Sequence, residues 1–384
     1  MPLRPRTRLA LLGTVTALVS GLLTGPAVGQ AASPDSPVSP RAHDADLAFL
    51  GESTLPAGAT FQGTVVGGLS SLSYDAARDV YYAISDDQGP GFAAGSTPAR
   101  FYTLAIDVSD GTLGAGDVTV LAVTTLLGPD GQPFPALSLD PEGLTLTRDD
   151  TLVITSEGIP AKGIAPFVRE FDLSGQQVDE LPVPGYYTPT ATQGVRPNLG
   201  FEAAAVAPNG QALFVGAENA LVQDGPAASL TTGSPARLLR YQLKNGRLDR
   251  EYVYPTDPVA EAPVPAGQFT VNGLVELLPL NNQFLLAMER SFSVGGGNTI
   301  RIYRVALPGA TDVSGVDDLD SVSQVRTAQK TLLLDLDELG LTLDNIEGMT
   351  LGPRLPDGRQ SLLLVSDNNF TFGQVSQFLL FALD

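Results

Sequence analysis

Carboxylates recur in this chain at fixed places in a repeated phrase. DPEGLTLTRDDTLVITSEG (residues 140–158) sets Glu142 before one short apolar run and Glu157 after a second. NIEGMTLGPRLPDGRQSLLLVSDNN (345–369) does the same with Glu347 and Asp367, and GFEAAAVAPNGQALFVGAEN (200–219) with Glu202 and Glu218. VNGLVELLPLNNQFLLAMERS (271–291) carries Asn272 and Glu289 at these places, and GGLSSLSYDAARDVYYAISDD (67–87) carries Gly68 and the pair Asp86 and Asp87. Clustered carboxylates repel one another unless some are protonated or a cation sits among them. Calcium takes about 6–8 oxygen ligands, mostly carboxylate and carbonyl. Glu142, Glu202 and Glu347 are therefore candidate catalytic groups, and Asp86, Asp87, Glu157, Glu218, Glu289 and Asp367 candidate ligands for Ca²⁺ or Mg²⁺. Turn chemistry, with the acids accepting backbone N–H bonds, is the other reading of the same pattern.

The remaining chemistry is narrow. The only His is His43, outside all five copies, and Cys is absent, so histidine general-base catalysis, thiol nucleophiles and His-ligated transition metals are excluded. No GxSxG elbow, Walker loop or dinucleotide-binding glycine motif occurs. Basic groups follow the second apolar run of several copies. Arg100, Arg237 and Arg290 are the candidate catalytic cations, suited to phosphate oxygens, with ion pairing to neighbouring acids as the alternative. Lys162 and Arg196 lie in comparable loops.

The elements that must position these groups are strands. YDAARD, RDD, PNG, PLNN and RLPDG separate the paired runs and read as hairpin turns. A third run follows each pair, such as ARFYTLAID (99–107) and SQFLLFALD (376–384), and a fourth is visible in several copies, such as VTVLAVTTLL. Four antiparallel strands per unit, repeated at a long period, predict an all-β chain forming a single β-propeller. Five copies predict five blades, with six if a spacer hides a degenerate unit; a solenoid or two sandwiches are the alternatives. The last copy ends on its third strand, so DLAFLGESTL (46–55) is expected to complete that blade and shut the ring. Both ends of each hairpin then converge on one mouth of the channel.

Composition places this propeller outside the cytoplasm. Arg4, Arg6 and Arg8 precede the apolar segment Leu9–Leu23 and then small residues, which reads as a signal peptide over 1–31, with a retained anchor as the alternative. A Pro/Ser leader over 32–45 and a propeller domain over 46–384 follow. The net charge of −20 becomes −23 without the three Arg of the signal. Such a chain repels nucleic acid and anionic membranes and attracts cations. No later stretch is apolar for long enough to span a membrane, and the expected form is a secreted monomer.

Taken together, GGLSSLSYDAARDVYYAISDD, DPEGLTL with TSEG, GFEAAAVAPNG with AEN, and NIEGMTLGPRLPDGRQSLLLVSDNN resemble the phytase-like domain, known as esterase-like activity of phytase. The resemblance covers Asp46–Asp384. It implies phosphoester hydrolysis in an exported protein, with the repeated acids as the site and a small phosphoester as substrate. Departures at Gly68 and Asn272 make the ring asymmetric. The expected function is metal-dependent phosphoester hydrolysis. A calcium-binding scaffold propeller and a carboxylate-based glycosidase, the latter using Tyr186, Tyr187, Phe201 and Phe370 as sugar platforms, are the alternatives.

Overall fold

The computed structural model describes residues 46–384; the expected signal peptide, the expected leader and His43 lie outside the described residues. Among these there is no α-helix, and no helix is long and apolar enough to cross a membrane. After strand β1 (Leu47–Leu55) and a small hairpin, β2 (Thr60–Phe61) and β3 (Thr64–Val65), the chain forms five four-stranded antiparallel sheets. Blade 1 holds β4 (Leu69–Asp75), β5 (Val80–Ser85), β6 (Arg100–Ile106) and β7 (Val118–Thr125). Blade 2 holds β8 (Pro141–Leu146), β9 (Thr151–Ser156), β10 (Phe167–Asp172) and β11 (Gln177–Leu181). Blade 3 holds β12 (Phe201–Val206), β13 (Ala212–Ala217), β14 (Pro235–Gln242) and β15 (Arg247–Pro255). Blade 4 holds β16 (Thr270–Pro279), β17 (Phe284–Ser293), β18 (Gly297–Ala306) and β19 (Gln329–Asp335). Blade 5 holds β20 (Asn345–Arg354), β21 (Gln360–Asp367), β22 (Ser376–Leu383) and, as its outermost strand, β1.

The fold is thus a five-bladed β-propeller closed by its N-terminal strand. Leu47 pairs with Leu383 and Leu55 with Ser376, and β1 steps over one residue between Phe49 and Gly51. Gly51 makes that step possible. Its φ is +137°, and a Cβ there would lie 2.3 Å from the Leu113 carbonyl oxygen. The inner strands β4, β8, β12, β16 and β20 contact one another around a closed ring.

The strands read as almost continuous apolar runs because both faces of each blade are buried. Alternate residues serve opposite neighbours. In β17, Leu285 and Ala287 pack with Phe214 and Leu238 of blade 3, whereas Leu286 and Met288 pack with Leu362 and Leu364 of blade 5. Comparable clusters fill the boundaries between blades 1 and 2, 2 and 3, and 5 and 1. The core is therefore five wedges between blades, which leaves the axis for polar groups.

Candidate acidic site at the channel mouth

Each inner strand carries a β-bulge. Pairing jumps from Leu69 to Ser71 in β4, from Pro141 to Leu144 in β8, from Phe201 to Ala203 in β12, from Leu274 to Glu276 in β16 and from Ile346 to Gly348 in β20. Such a bulge re-aims one side chain out of the ladder. The re-aimed positions are Ser70, Glu142, Glu202, Val275 and Glu347. Three of the five are the candidate catalytic glutamates, brought together at one mouth.

The residue after the bulge faces a crowded axis. A Cβ on Gly143 would meet the Glu202 carbonyl oxygen at 2.5 Å, and one on Gly348 would meet Ser71 Cα at 2.9 Å. Glycine after the acid is therefore demanded by the close approach of the next inner strand. Small residues (Ser71, Gly143, Ala203, Gly348) occupy four of these positions. The fifth is Glu276, which reaches across to Ser71 Oγ at 2.7 Å and accepts from the Leu277 amide at 2.9 Å. Burial pushes the Glu276 carboxyl up to about 8.

A second ring stands on each second strand, one residue beyond the partner of the residue that precedes the bulge. Aligned by register it comprises Asp86, Glu157, Glu218, Arg290 and Asp367. This corrects the expected phase of the fourth copy. Glu289 pairs opposite Leu274 and points between the sheets, where it accepts from Tyr254 Oη at 2.7 Å, Asn272 Nδ2 at 2.9 Å, the Asp257 amide at 2.8 Å and Lys330 Nζ. Arg290 takes the place in the ring.

Members of both rings, Asp86, Glu142, Glu202, Glu218, Glu347 and Asp367, line a cavity of about 1090 Å³ together with Asp140; among the described residues Arg290 is the single basic one of that lining, and Glu157 is not part of it. Asp140, Glu142 and Glu157 present one oxygen each within 4.8 Å of one another, and so do Glu157, Glu202 and Glu218. Glu157 belongs to both trios. Its Oε1 accepts from the Gly200 amide at 2.7 Å, while its Oε2 is buried without a partner. Both Glu218 carboxylate oxygens and Asp86 Oδ1 are in the same condition. Arg290 donates to Glu347 at 2.9 Å and stands 3.6 Å from Glu218. Asn345 Nδ2 holds Glu347 at 2.9 Å.

Burial, then mutual repulsion, raises Asp86, Glu142 and Glu202 well above the ordinary carboxylate range. Glu157 is raised for the same two reasons. Burial lifts Asp140 to about 7 and, against the pull of Arg290, Glu218 to about 7. Burial and Glu347 lift Asp367 to about 8. Glu347 is raised by burial and relieved in part by Arg290 and Asn345. Burial works against the charge on Arg290, yet Glu347, Glu218 and Glu202 hold it firmly on. An all-oxygen donor set with orphaned buried oxygens fits a hard divalent cation, Ca²⁺ or Mg²⁺, better than any soft metal.

Other expected site residues lie elsewhere. Asp87 is buried against Arg100 at 2.6 Å and accepts from the Gly89 and Thr97 amides at 3.0 Å each. Arg100 also donates to Tyr102 Oη at 2.7 Å and the Val65 carbonyl at 2.8 Å. Arg237 is fully buried, with Asp224 at 2.6 and 2.8 Å and Glu251 at 3.1 Å. Neither Arg100 nor Arg237 lines the cavity. Tyr186 and Tyr187 both donate to Glu251 at 2.5 Å, and Phe201 is wholly buried, so three of the four supposed sugar platforms are closed off. Lys162 and Arg196 donate to the carbonyls of Leu137 and Ala220. Asp140 was not among the expected ligands, although its place two residues before Glu142 in DPEG is a usable signal. Glu276 gave one too: a lone acid in the apolar run LVELL.

Solved structures similar to this chain include the Dos1 propeller, at 8% identity over 82% of this chain and 67% of that one with a TM-score of 0.35. The periplasmic gluconolactonase PpgL of Pseudomonas aeruginosa is similar at 14% identity over 88% of this chain and 96% of that one, also with a TM-score of 0.35. No curated protein matches the sequence. The profile of the family described as Phytase-like, esterase-like activity of phytase, matches residues 64–370, spanning strands β4 to β21 and every member of both rings. The chain belongs to this phytase-like family.

Proposed function

We propose that this protein is an exported, metal-dependent phosphoester hydrolase working at the acidic mouth. The observation that supports it best is Glu157: one buried carboxylate shared by two oxygen trios, with partnerless oxygens around it. Asp140, Glu142, Glu157, Glu202 and Glu218 would hold Ca²⁺ or Mg²⁺, and Asp86 and Asp367 complete the acidic wall. When bound, the cation supplies Lewis acidity toward a phosphoryl oxygen and toward water. Arg290 is the one fixed positive group in the cavity and stands ready for charge developing on phosphoryl oxygens. Glu347, clamped by Arg290 and Asn345, holds that guanidinium in place.

Export follows from the Arg-led apolar segment at residues 4–23. Arg100, Arg237, Asp87 and Glu289 act as internal struts. The test is a calcium and magnesium titration of the mature protein, read by thermal melting, with a phosphomonoester and a phosphodiester in the same tubes. Stabilisation together with metal-dependent turnover, both weakened in Glu157→Gln, is the expected result. Stabilisation without turnover overturns it in favour of a scaffold propeller.

A further inference from the structure

The acidic cavity has an apolar rim. Phe92, Phe269 and Phe292 line it together with Leu199, Val271 and Leu343. The rings of Phe92 and Phe370 meet edge to face at 6.4 Å, and those of Phe269 and Phe292 lie 6.2 Å apart. Among the described residues the exposed large apolar side chains are Phe92, Leu121, Val178, Leu230, Val264, Phe269, Leu332 and Phe372. Five of these, Phe92, Leu230, Val264, Phe269 and Phe372, stand on loops at this one mouth. A concentration of apolar groups around a polar well marks a ligand surface.

The backbone is bent to present one of these rings. Asn369 and Phe370 both take left-handed φ, +47° and +50°, which a bulky side chain adopts only when its surroundings enforce it. Here Asp367 accepts from the Asn369 amide at 2.7 Å and Asn368 Oδ1 from the Phe370 and Gly68 amides at 3.1 Å each. The Phe370 ring is thereby laid over Gly68, where a Cβ would meet it at 2.7 Å and Asp86 Oδ1 at 1.9 Å. An aromatic face and an orphaned carboxylate oxygen adjoin the same backbone position.

Charge restricts what enters. A polyphosphorylated polyol needs many cationic partners, and the cavity lining offers Arg290 alone, already engaged by Glu347. Resting on the hydrolase reading, we infer that the substrate is a phosphoester with a single phosphoryl group and an aromatic or other apolar substituent. The phosphoryl group sits toward the carboxylates and Arg290, and the substituent lies against Phe92, Phe370, Phe269 and Phe292.

Steady-state kinetics of the calcium- or magnesium-loaded protein on 1-naphthyl phosphate, glycerol 2-phosphate and inositol hexaphosphate test this. The expected kcat/KM for the naphthyl ester is about tenfold or more above that for the glycerol ester, with inositol hexaphosphate the poorest. Phe92→Ala and Phe269→Ala should each narrow the ratio between the two simple esters, chiefly through KM. A preference for inositol hexaphosphate, or a ratio unmoved in both variants, overturns the inference while the hydrolase reading stands. If no ester is turned over, titration of 1-naphthyl phosphate fluorescence with the metal-loaded protein decides. Saturable binding weakened in Phe92→Ala upholds the aromatic rim; absent binding, or equal binding in the variants, overturns it.

Discussion

The Arg290 guanidinium donates to Glu347 Oε1 at 2.9 Å, joining β17 of blade 4 to the bulge of β20 in blade 5. Among the described residues it is the only basic one lining the acidic cavity. Breaking a buried pair by removing one partner leaves an uncompensated charge at a cost of about 3–5 kcal/mol. Arg290→Gln should lose stability of that order in metal-free protein, measured by urea unfolding, and regain part of it on adding Ca²⁺. A loss that no cation repairs would mean that the carboxylates do not form a cation site.

Metal-free protein should weaken as pH rises. The ring carboxyls have folded pKa values raised above their unfolded ones, so the folded state binds more protons and stability falls with increasing pH. From the values near 7 for Asp140 and Glu218 and near 8 for Asp367, the loss runs from about pH 4 to pH 8. Melting temperatures across that range in chelator check it. A melting point that climbs over the same window would contradict the crowding described here.

Saturating cation should reverse this trend. At about a hundredfold excess over Kd, one bound cation stabilises by about 2.7 kcal/mol. Glu157→Gln strips one member from both trios at once. It should therefore lower cation affinity more than Asp140→Asn, which touches a single trio; calorimetric titration of both variants decides the order.

Glu276 titrates apart from the mouth. Its carboxyl is pushed up to about 8, so its contribution is present below about pH 4.5 and lost as pH rises through 8. Glu276→Gln keeps the shape and cannot ionise. It should match the wild type near pH 5 and exceed it at pH 9 by something on the order of 3 kcal/mol, read by urea unfolding at the two pH values.

Arg237 offers the contrasting case. Its removal takes the cationic partner from buried Asp224 and Glu251, so Arg237→Met should cost about 3–5 kcal/mol while cation affinity at the mouth stays the same. Parallel denaturation and metal titration separate the two effects.

Hairpin turns and apolar runs were enough to read five blades and the closing role of residues 46–55, because turn residues and strands buried on both faces leave short apolar runs between Asn, Asp, Gly and Pro. The mouth was legible for Glu142, Glu202 and Glu347, where an acid followed by glycine or, after Glu202, by alanine marks each bulge. It was misread at blade 4. NG and ME look like the other copies by residue type, yet the bulge in β16 falls at Val275, and alternation along β17 turns Glu289 inward and Arg290 toward the axis. A one-residue slip flips a side chain to the other face, and residue type alone does not carry phase. Arg100 and Arg237 failed for a related reason. Each begins a third strand at the correct end of the ring, but its side chain enters the interior, where Asp87 or Asp224 waits for it.

Blade 5 also sets an order of events in time. β1 is the first strand the ribosome makes, and its partner β22 is made after all twenty strands between. Until then β1 has an open edge and the ring a gap, and the Asp384 amide cannot meet the Asp46 carbonyl. Bringing such distant segments together is slow, because chain entropy must be lost before the contact forms. Export in an unfolded state would postpone this closure until the whole chain has crossed. The carboxylates of the mouth then come together only as the ring shuts.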